Sequence, residues 1–193
     1  MISRFFGKTA FALLFATLLL SPIAISNVSA KDSFTLRAIH KGLLSRYAGV
    51  SHMSPVQLQN GLAGPDRNKF LVLDSREVNE FAVSHIKGAK RVDPSIWHSV
   101  FMKKFAKAAK GKTVVIYCSV GERSSKLAKY VQKALMQEGA KAVYNLQGGI
   151  FKWHNDQRNL LIDKSGTTSF VHPYDKHWGQ LVKRADKLRY SAQ

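Results

Sequence analysis

The chain has 193 residues, with 30 Lys and Arg against 12 Asp and Glu and a formal charge of +18. That length suits one domain with a sizeable core, and the single cysteine, Cys118, excludes an internal disulfide. The charge fits nucleic acid, an anionic envelope surface or small anionic substrates drawn in by the field, and a solvated basic surface accounts for it equally well.

Residues 1–30, "MISRFFGKTAFALLFATLLLSPIAISNVSA", begin with Arg4 and Lys8, run through an uncharged stretch rich in leucine, and close on Val28-Ser29-Ala30. This is the three-part layout of a secretory signal peptide. It predicts cleavage after Ala30, a mature start at Lys31 and a periplasmic or secreted location. An uncleaved anchor is the alternative, because residues 9–30 are just long enough to span a bilayer. No cysteine lies near the cleavage point, which sets a lipid-anchored lipoprotein aside. The remaining 163 residues keep 28 basic and 12 acidic side chains, a charge of +16. An exported protein is not expected to meet nucleic acid, so contact with an anionic envelope surface is the macromolecular association left open.

In chain order, Phe34, Ile39, Leu43 and Tyr47 recur near helical spacing and predict a first helix over 33–48. Ser54 followed by Pro55 reads as an N-cap and first helical position. "KFLVLD" (69–74) reads as a buried strand. A short helix follows around Val78 to Phe81, then a Gly88 turn and a brief strand over 89–92. The next helix carries Ile96, Val100, Phe101 and Phe105 on one face and ends before Gly111. "TVVIY" (113–117) is a β-branched, uncharged strand. The helix after it places Leu127, Tyr130, Val131, Ala134 and Leu135 on its apolar face and stops at Gly139. "AVYNL" (142–146) reads as a strand and "GGIFKWHNDQ" as a short helix. In the tail, "DKHWGQLVKRADKLRYS" is expected to form a last helix wrapped on the domain.

Strands alternating with helices imply a parallel sheet covered on both faces. In such sheets ligands bind outside the carboxyl ends of strands, and Cys118 lies there, between "TVVIY" and "SSKLAKYV". A cysteine reacts as its thiolate, which a helix N-terminus or a fixed cation favours. The loop Ser119-Val120-Gly121-Glu122-Arg123 is short and contains a glycine free in φ. It opens straight into a helix, so its amides can converge on the sulfur or on an anion delivered to it. Arg123 adds a permanent charge, and Glu122 opposes it unless its side chain points to solvent. A passive thiol at a strand end is the competing account.

"CSVGERS" resembles the active-site loop of rhodanese-like sulfurtransferases, which reads Cys-x-x-Gly-x-Arg-Ser after a strand. "LVLDSREVNEFAVSHIKGAKRVDP" is similar to the family's Asp-x-Arg-Glu, Glu-Phe and His-Ile-x-Gly-Ala segment. "VYNLQGGIFKW" is similar to its closing Gly-Gly and tryptophan. The resemblance spans about residues 52–162. It leaves an N-terminal helical extension at 31–51 and a basic tail at 163–193 outside it. It implies a three-layer α/β domain with a central, mostly parallel five-stranded sheet flanked by helices. It also implies transfer of sulfane sulfur from a small anionic donor such as thiosulfate to a thiol or cyanide acceptor. Cys118 would carry the sulfur as a persulfide, bound by residues Ser119 to Ser124. One covalent intermediate needs no resolving thiol and no cofactor. Asp74, Arg76, His85 and Trp153 take mainly structural readings, with a base role for His85 the lesser alternative. The seven histidines and twelve acids have no spacing that argues for a metal.

Related folds carry phosphatases and arsenate reductases with Cys-x5-Arg loops. Here Cys118 to Arg123 is one residue shorter, which argues against phosphate. Two rivals remain, a non-catalytic binding module and an envelope thiol that senses oxidation. The tail around His172, Pro173 and Trp178 is compatible with docking a partner, closing over the active site or capping the domain. Nothing in the sequence fixes the oligomeric state.

Overall fold

A computed structural model describes residues 26–158, 160–162 and 166–192. Most of the expected signal segment, residues 1–25, lies outside the described residues. The first helix, α1 (Ser26–Arg46), runs across the expected cleavage point. Among the described residues no helix is long and apolar enough to cross a membrane.

Five parallel strands form the central sheet: β1 (Ser51–Met53), β2 (Phe70–Asp74), β3 (Lys90–Arg91), β4 (Thr113–Tyr117) and β5 (Ala142–Leu146), in the order β1-β5-β4-β2-β3. The register pairs Phe70 with Thr113 and Val114 with Val143. Side chains alternate across the sheet because the strand period is two. Leu71, Leu73, Val114 and Ile116 face one layer, formed with α4 (His98–Ala109) and α5 (Glu122–Gln137). Val72, Val115 and Tyr117 face the other, formed with α1, α2 (Pro55–Ala63), α6 (Gly149–Asn155) and the C-terminal segment. The fold is therefore three-layered α/β with an all-parallel sheet.

Local signals explain most boundaries. Ser54 caps α2 by accepting from Gln57 N, and Gln57 reciprocates at the Ser54 amide. Two helical faces differ from the expectation. A helical residue advances about 100°, which sets Val100 about 140° from the centre of the face carrying Phe101, Phe105 and Ala109, and it is exposed. By the same rotation Tyr130 lies about 115° from the centre of the buried face of α5 and is exposed as well.

The tail corrects the sequence reading. Instead of one helix it has a short α7 (Lys176–Gly179) and a 3₁₀ turn over Ala185–Lys187. Asn155 at the end of α6 donates to Leu181 O and accepts from Lys183 N, both at 2.8 Å, and so takes two backbone groups a continuing helix would use. An antiparallel hairpin, β6 (Leu160–Ile162) with β7 (Gly166–Thr168), leads into the tail. Val171 and Val182 then join the core layer of α6, and Val171 pairs with the 187–189 backbone. Edge strand β1 is three residues long with His52 in the middle, too short to show a period.

At the carboxyl end of β2, Asp74 and Arg76 form a fully buried ion pair. Arg76 Nη2 lies 2.7 Å from Asp74 Oδ2 and also donates to Ser84 O at 2.6 Å. Removing one partner of such a pair strands the other charge in low dielectric, at about 3–5 kcal/mol. Asp74→Ala is therefore expected to lower the urea midpoint of unfolding severely. Asp66→Ala, which breaks the exposed Lys69–Asp66 contact, is expected to leave it unchanged.

Candidate active site at the Cys118 loop

Cys118 follows β4 directly and is 1% exposed, with its Sγ accepting from Gly121 N at 3.2 Å. Gly121 adopts φ +109, and a Cβ there would come within 3.1 Å of Asn145 Nδ2 and Leu43 Cδ1. The backbone angle favours glycine at this position, and a side chain would also require both neighbours to give by a few tenths of an ångström. The first helical bond of α5 is Ser125 N to Gly121 O. The amides of Glu122, Arg123 and Ser124 therefore have no acceptor within the helix, and the helix end adds positive potential beside the sulfur.

The loop is held open by α6. Ile150 N donates to Cys118 O at 2.9 Å and Phe151 N to Ser119 O at 3.0 Å. These bonds turn the loop carbonyls away from the sulfur side. Gly148 and Gly149 reach the required path with φ +71 and +55, and a Cβ on Gly149 would lie 2.3 Å from Cys118 O. The "QGG" before α6 is thus a seat for the Cys118 loop. Ser124 Oγ donates to Asn145 Oδ1 at 2.6 Å, tying the first turn of α5 to β5.

Arg123 is a paired cation. Its Nη1 and Nη2 donate to Glu80 Oε2 and Oε1 at 2.7 and 2.9 Å, and Nη2 also donates to Ser119 Oγ at 3.0 Å. Glu80 belongs to α3 (Val78–Val83) and is almost fully buried. Burial alone would raise the Glu80 carboxyl, but Arg123 holds it below its ordinary value. Burial likewise works against the Arg123 guanidinium, yet Glu80 and Cys118 keep its pKa raised. Glu122 is turned toward α1, accepting from Arg46 Nη1 at 2.8 Å and from Tyr47 Oη at 2.6 Å.

The other residues singled out in the sequence sit around this centre. Val120 is buried beside the sulfur, and Asp74 and Arg76 brace the end of β2 under Tyr117. His85 stacks on Phe81 at 3.9 Å and its Nδ1 faces Phe81 O at 3.1 Å. Trp153 is buried beneath the sheet with the Arg158 guanidinium 5.5 Å from its ring centre. Among the described residues no group of three His, Cys, Asp or Glu is placed to hold a metal.

Cys118, Ser119, Val120, Glu122 and Arg123 floor a cleft of about 190 Å³ whose far wall is Tyr174 and Trp178. The Tyr174 ring lies over the Arg123 guanidinium, 5.0 Å from ring centre to Cζ. Sequence reasoning passed over Glu80 and Tyr174. The spacing of Glu77 and Glu80 at the start of α3 was a usable signal for a capping pair. Nothing local marked the second role of Glu80.

A buried thiol at the carboxyl edge of a parallel sheet, cradled by a strand-to-helix loop, defines the class of site. Residues 54–156, more than half of the chain, match the rhodanese-like domain family. The chain belongs to that family. The tRNA uridine(34) hydroxylase of Bacillus pumilus is 30% identical over 107 residues, covering 54% of this chain and 31% of that protein. The probable adenylyltransferase/sulfurtransferase MoeZ of Mycobacterium tuberculosis is 32% identical over 112 residues, covering 58% of this chain and 26% of that protein. This chain thus spans about a third or less of those relatives. The thiosulfate sulfurtransferase of Pseudomonas aeruginosa shares the fold, with a TM-score of 0.53 over 76% of this chain and 26% of that one at 16% identity.

Because Glu80 is held below its unfolded value of 4.5, its contribution to stability is full above that pH. It is lost as pH falls through the lower folded value. Unfolding curves of the wild type and Glu80→Gln are therefore expected to differ most near neutrality and to converge on acidification.

Proposed function

We propose that the protein is a sulfurtransferase that carries sulfane sulfur on Cys118. The observation that carries this reading is the Gly121 N–H on the sulfur at 3.2 Å, at the floor of a cleft where the loop carbonyls are drawn off into α6. The Cys118 thiolate attacks the outer sulfur of a sulfane donor. The donor's S–S bond breaks, its inner group leaves with the electron pair, and Cys118 is left as a persulfide. A nucleophilic acceptor, a thiolate or cyanide, then takes the outer sulfur and returns the thiolate. The loop amides suit a charge that moves from the thiolate to the terminal sulfur of the persulfide.

Burial disfavours one form of the redox alternative, exchange with a bulky disulfide. A thiol that is 1% exposed meets a slim terminal sulfur more readily than the flanks of a bulky disulfide. The activities in the names of the relatives belong to much longer proteins, and the reading here rests on the Cys118 loop. Function outside the cytoplasm, after cleavage at Ala30, is part of the same proposal. The intact mass of protein recovered from the cell envelope is expected to begin at Lys31, and an uncleaved chain would point to the anchor.

Incubation with a sulfane donor is expected to add one sulfur atom to the intact mass, and cyanide to remove it as thiocyanate. Cys118→Ser is expected to abolish both steps while leaving the circular dichroism spectrum unchanged. Turnover by Cys118→Ser at the wild-type rate would refute the assignment.

A further inference from the structure

The far wall of the Cys118 cleft comes from the C-terminal segment, outside residues 54–156 that match the family. That segment is built to hold two rings in place. Tyr174 adopts φ +68, a region a bulky side chain seldom enters unless its surroundings impose it. The neighbours that impose it are identifiable. His172, buried against α3 with Nε2 3.4 Å from Asn79 Nδ2, accepts the Tyr174 N–H on Nδ1 at 3.0 Å. One residue on, Asp175 caps α7 by accepting from Trp178 N at 2.8 Å. Gly179 lets α7 pack on buried Pro173, since a Cβ there would meet Pro173 Cβ at 2.9 Å.

The electrostatics of the floor are equally specific. Two of the three Arg123 nitrogens are committed to Glu80 and Ser119, and the Tyr174 ring covers the guanidinium face. Once Cys118 is a thiolate, the side chains of the floor hold two negative groups, Cys118 and Glu80, against the one full charge of Arg123, with the α5 amides and Gly121 N adding partial positive charge that the thiolate itself engages. Such a floor disfavours a donor that brings two further negative charges. It tolerates a donor with at most one charge near the sulfur and an organic body to set against the rings.

We infer that the cleft selects an organic hydropersulfide, R–S–SH, over inorganic thiosulfate, with Tyr174 and Trp178 contacting the organic group as specificity-determining residues. This rests on the sulfur-transfer reading above. In the loading step the Cys118 thiolate bonds to the outer sulfur, the S–S bond of R–S–SH breaks, and R–S⁻ departs with the electron pair. The proton stays on the terminal sulfur, so charge and atoms balance with no oxidant or reductant.

The test compares kcat/KM for loading Cys118 from glutathione persulfide and from thiosulfate, read by intact mass on the purified protein. The wild type is expected to favour glutathione persulfide by on the order of tenfold or more. Tyr174→Gly removes the ring at a backbone angle glycine adopts freely, and Trp178→Leu keeps an apolar filler. Each is expected to cut loading from glutathione persulfide on the order of tenfold while changing thiosulfate little, and Tyr174→Phe is expected to restore it. Glu80→Gln, which frees charge on Arg123, is expected to move the ratio toward thiosulfate. A wild-type preference for thiosulfate, or equal losses for both donors in the two ring variants, would overturn this inference alone. Failure of Cys118 to take sulfur from either donor would overturn the sulfur-transfer reading and this inference with it.

Discussion

The ion pair between Glu80 and Arg123 organises the site. It joins α3 to the first turn of α5 across 43 positions of sequence, and Ser119 donates into the same carboxylate at 3.0 Å. A buried pair of this kind adds little net stability, because desolvation offsets much of the attraction. Its contribution is positional. With both carboxylate oxygens and two guanidinium nitrogens committed, the Cys118 loop, α3 and the Tyr174 ring have one mutual arrangement. The charge nearest the sulfur is therefore fixed in direction and already partly neutralised.

The backbone completes what the side chains begin. A strand-to-helix loop has both carbonyls and amides to place, and the sulfur is served only if they separate. Here α6 receives the carbonyls of Cys118 and Ser119, which leaves the amide edge on the sulfur side. The approach is so close that Gly149 has no room for a side chain. Two glycine-dependent contacts, at Gly121 and Gly149, thus convert a connection into a binding surface. The in-register pairing of β4 with β2 and β5 keeps that surface level with Asp74 and Asn145.

Much of this was legible in the sequence, for identifiable reasons. The strand 113–117 and the helix after it carry strong, uninterrupted patterns, and their junction places Cys118 without any three-dimensional information. The glycine of "CSVGERS" signals an unusual backbone angle, which the structure realises at φ +109, whereas the Gly-Gly of "QGGIFKW" was legible only as part of the family resemblance. Glu80 was not legible as part of the site. A glutamate near the start of a short helix reads as a cap or a solvated charge, and its second partner lies on another helix. The tail misled for a related reason. Its composition and spacing are helical, but Asn155 captures two of its backbone groups, a tertiary contact that overrides local preference. Tyr174 at positive φ has no sequence signature, since tyrosine is among the residues least expected there.

The surface and the cleft answer different physical demands. The formal charge of residues 31–193, 28 basic side chains against 12 acidic or +16, acts over a Debye length of about 8 Å in physiological salt, and it raises encounter rates with any anion. Recognition at the sulfur is decided at contact distance, where the groups are Cys118, Arg123, Glu80 and the two rings. There the positive charge is spoken for. A basic protein can thus gather anions broadly and still reject the most highly charged of them at the thiol, because steering scales with the whole molecule and binding with a handful of fixed neighbours. On the hydropersulfide inference, the C-terminal segment has a reason to be folded over the loop instead of extending as a helix: Tyr174 and Trp178 line the cleft and supply a contact surface that net charge cannot.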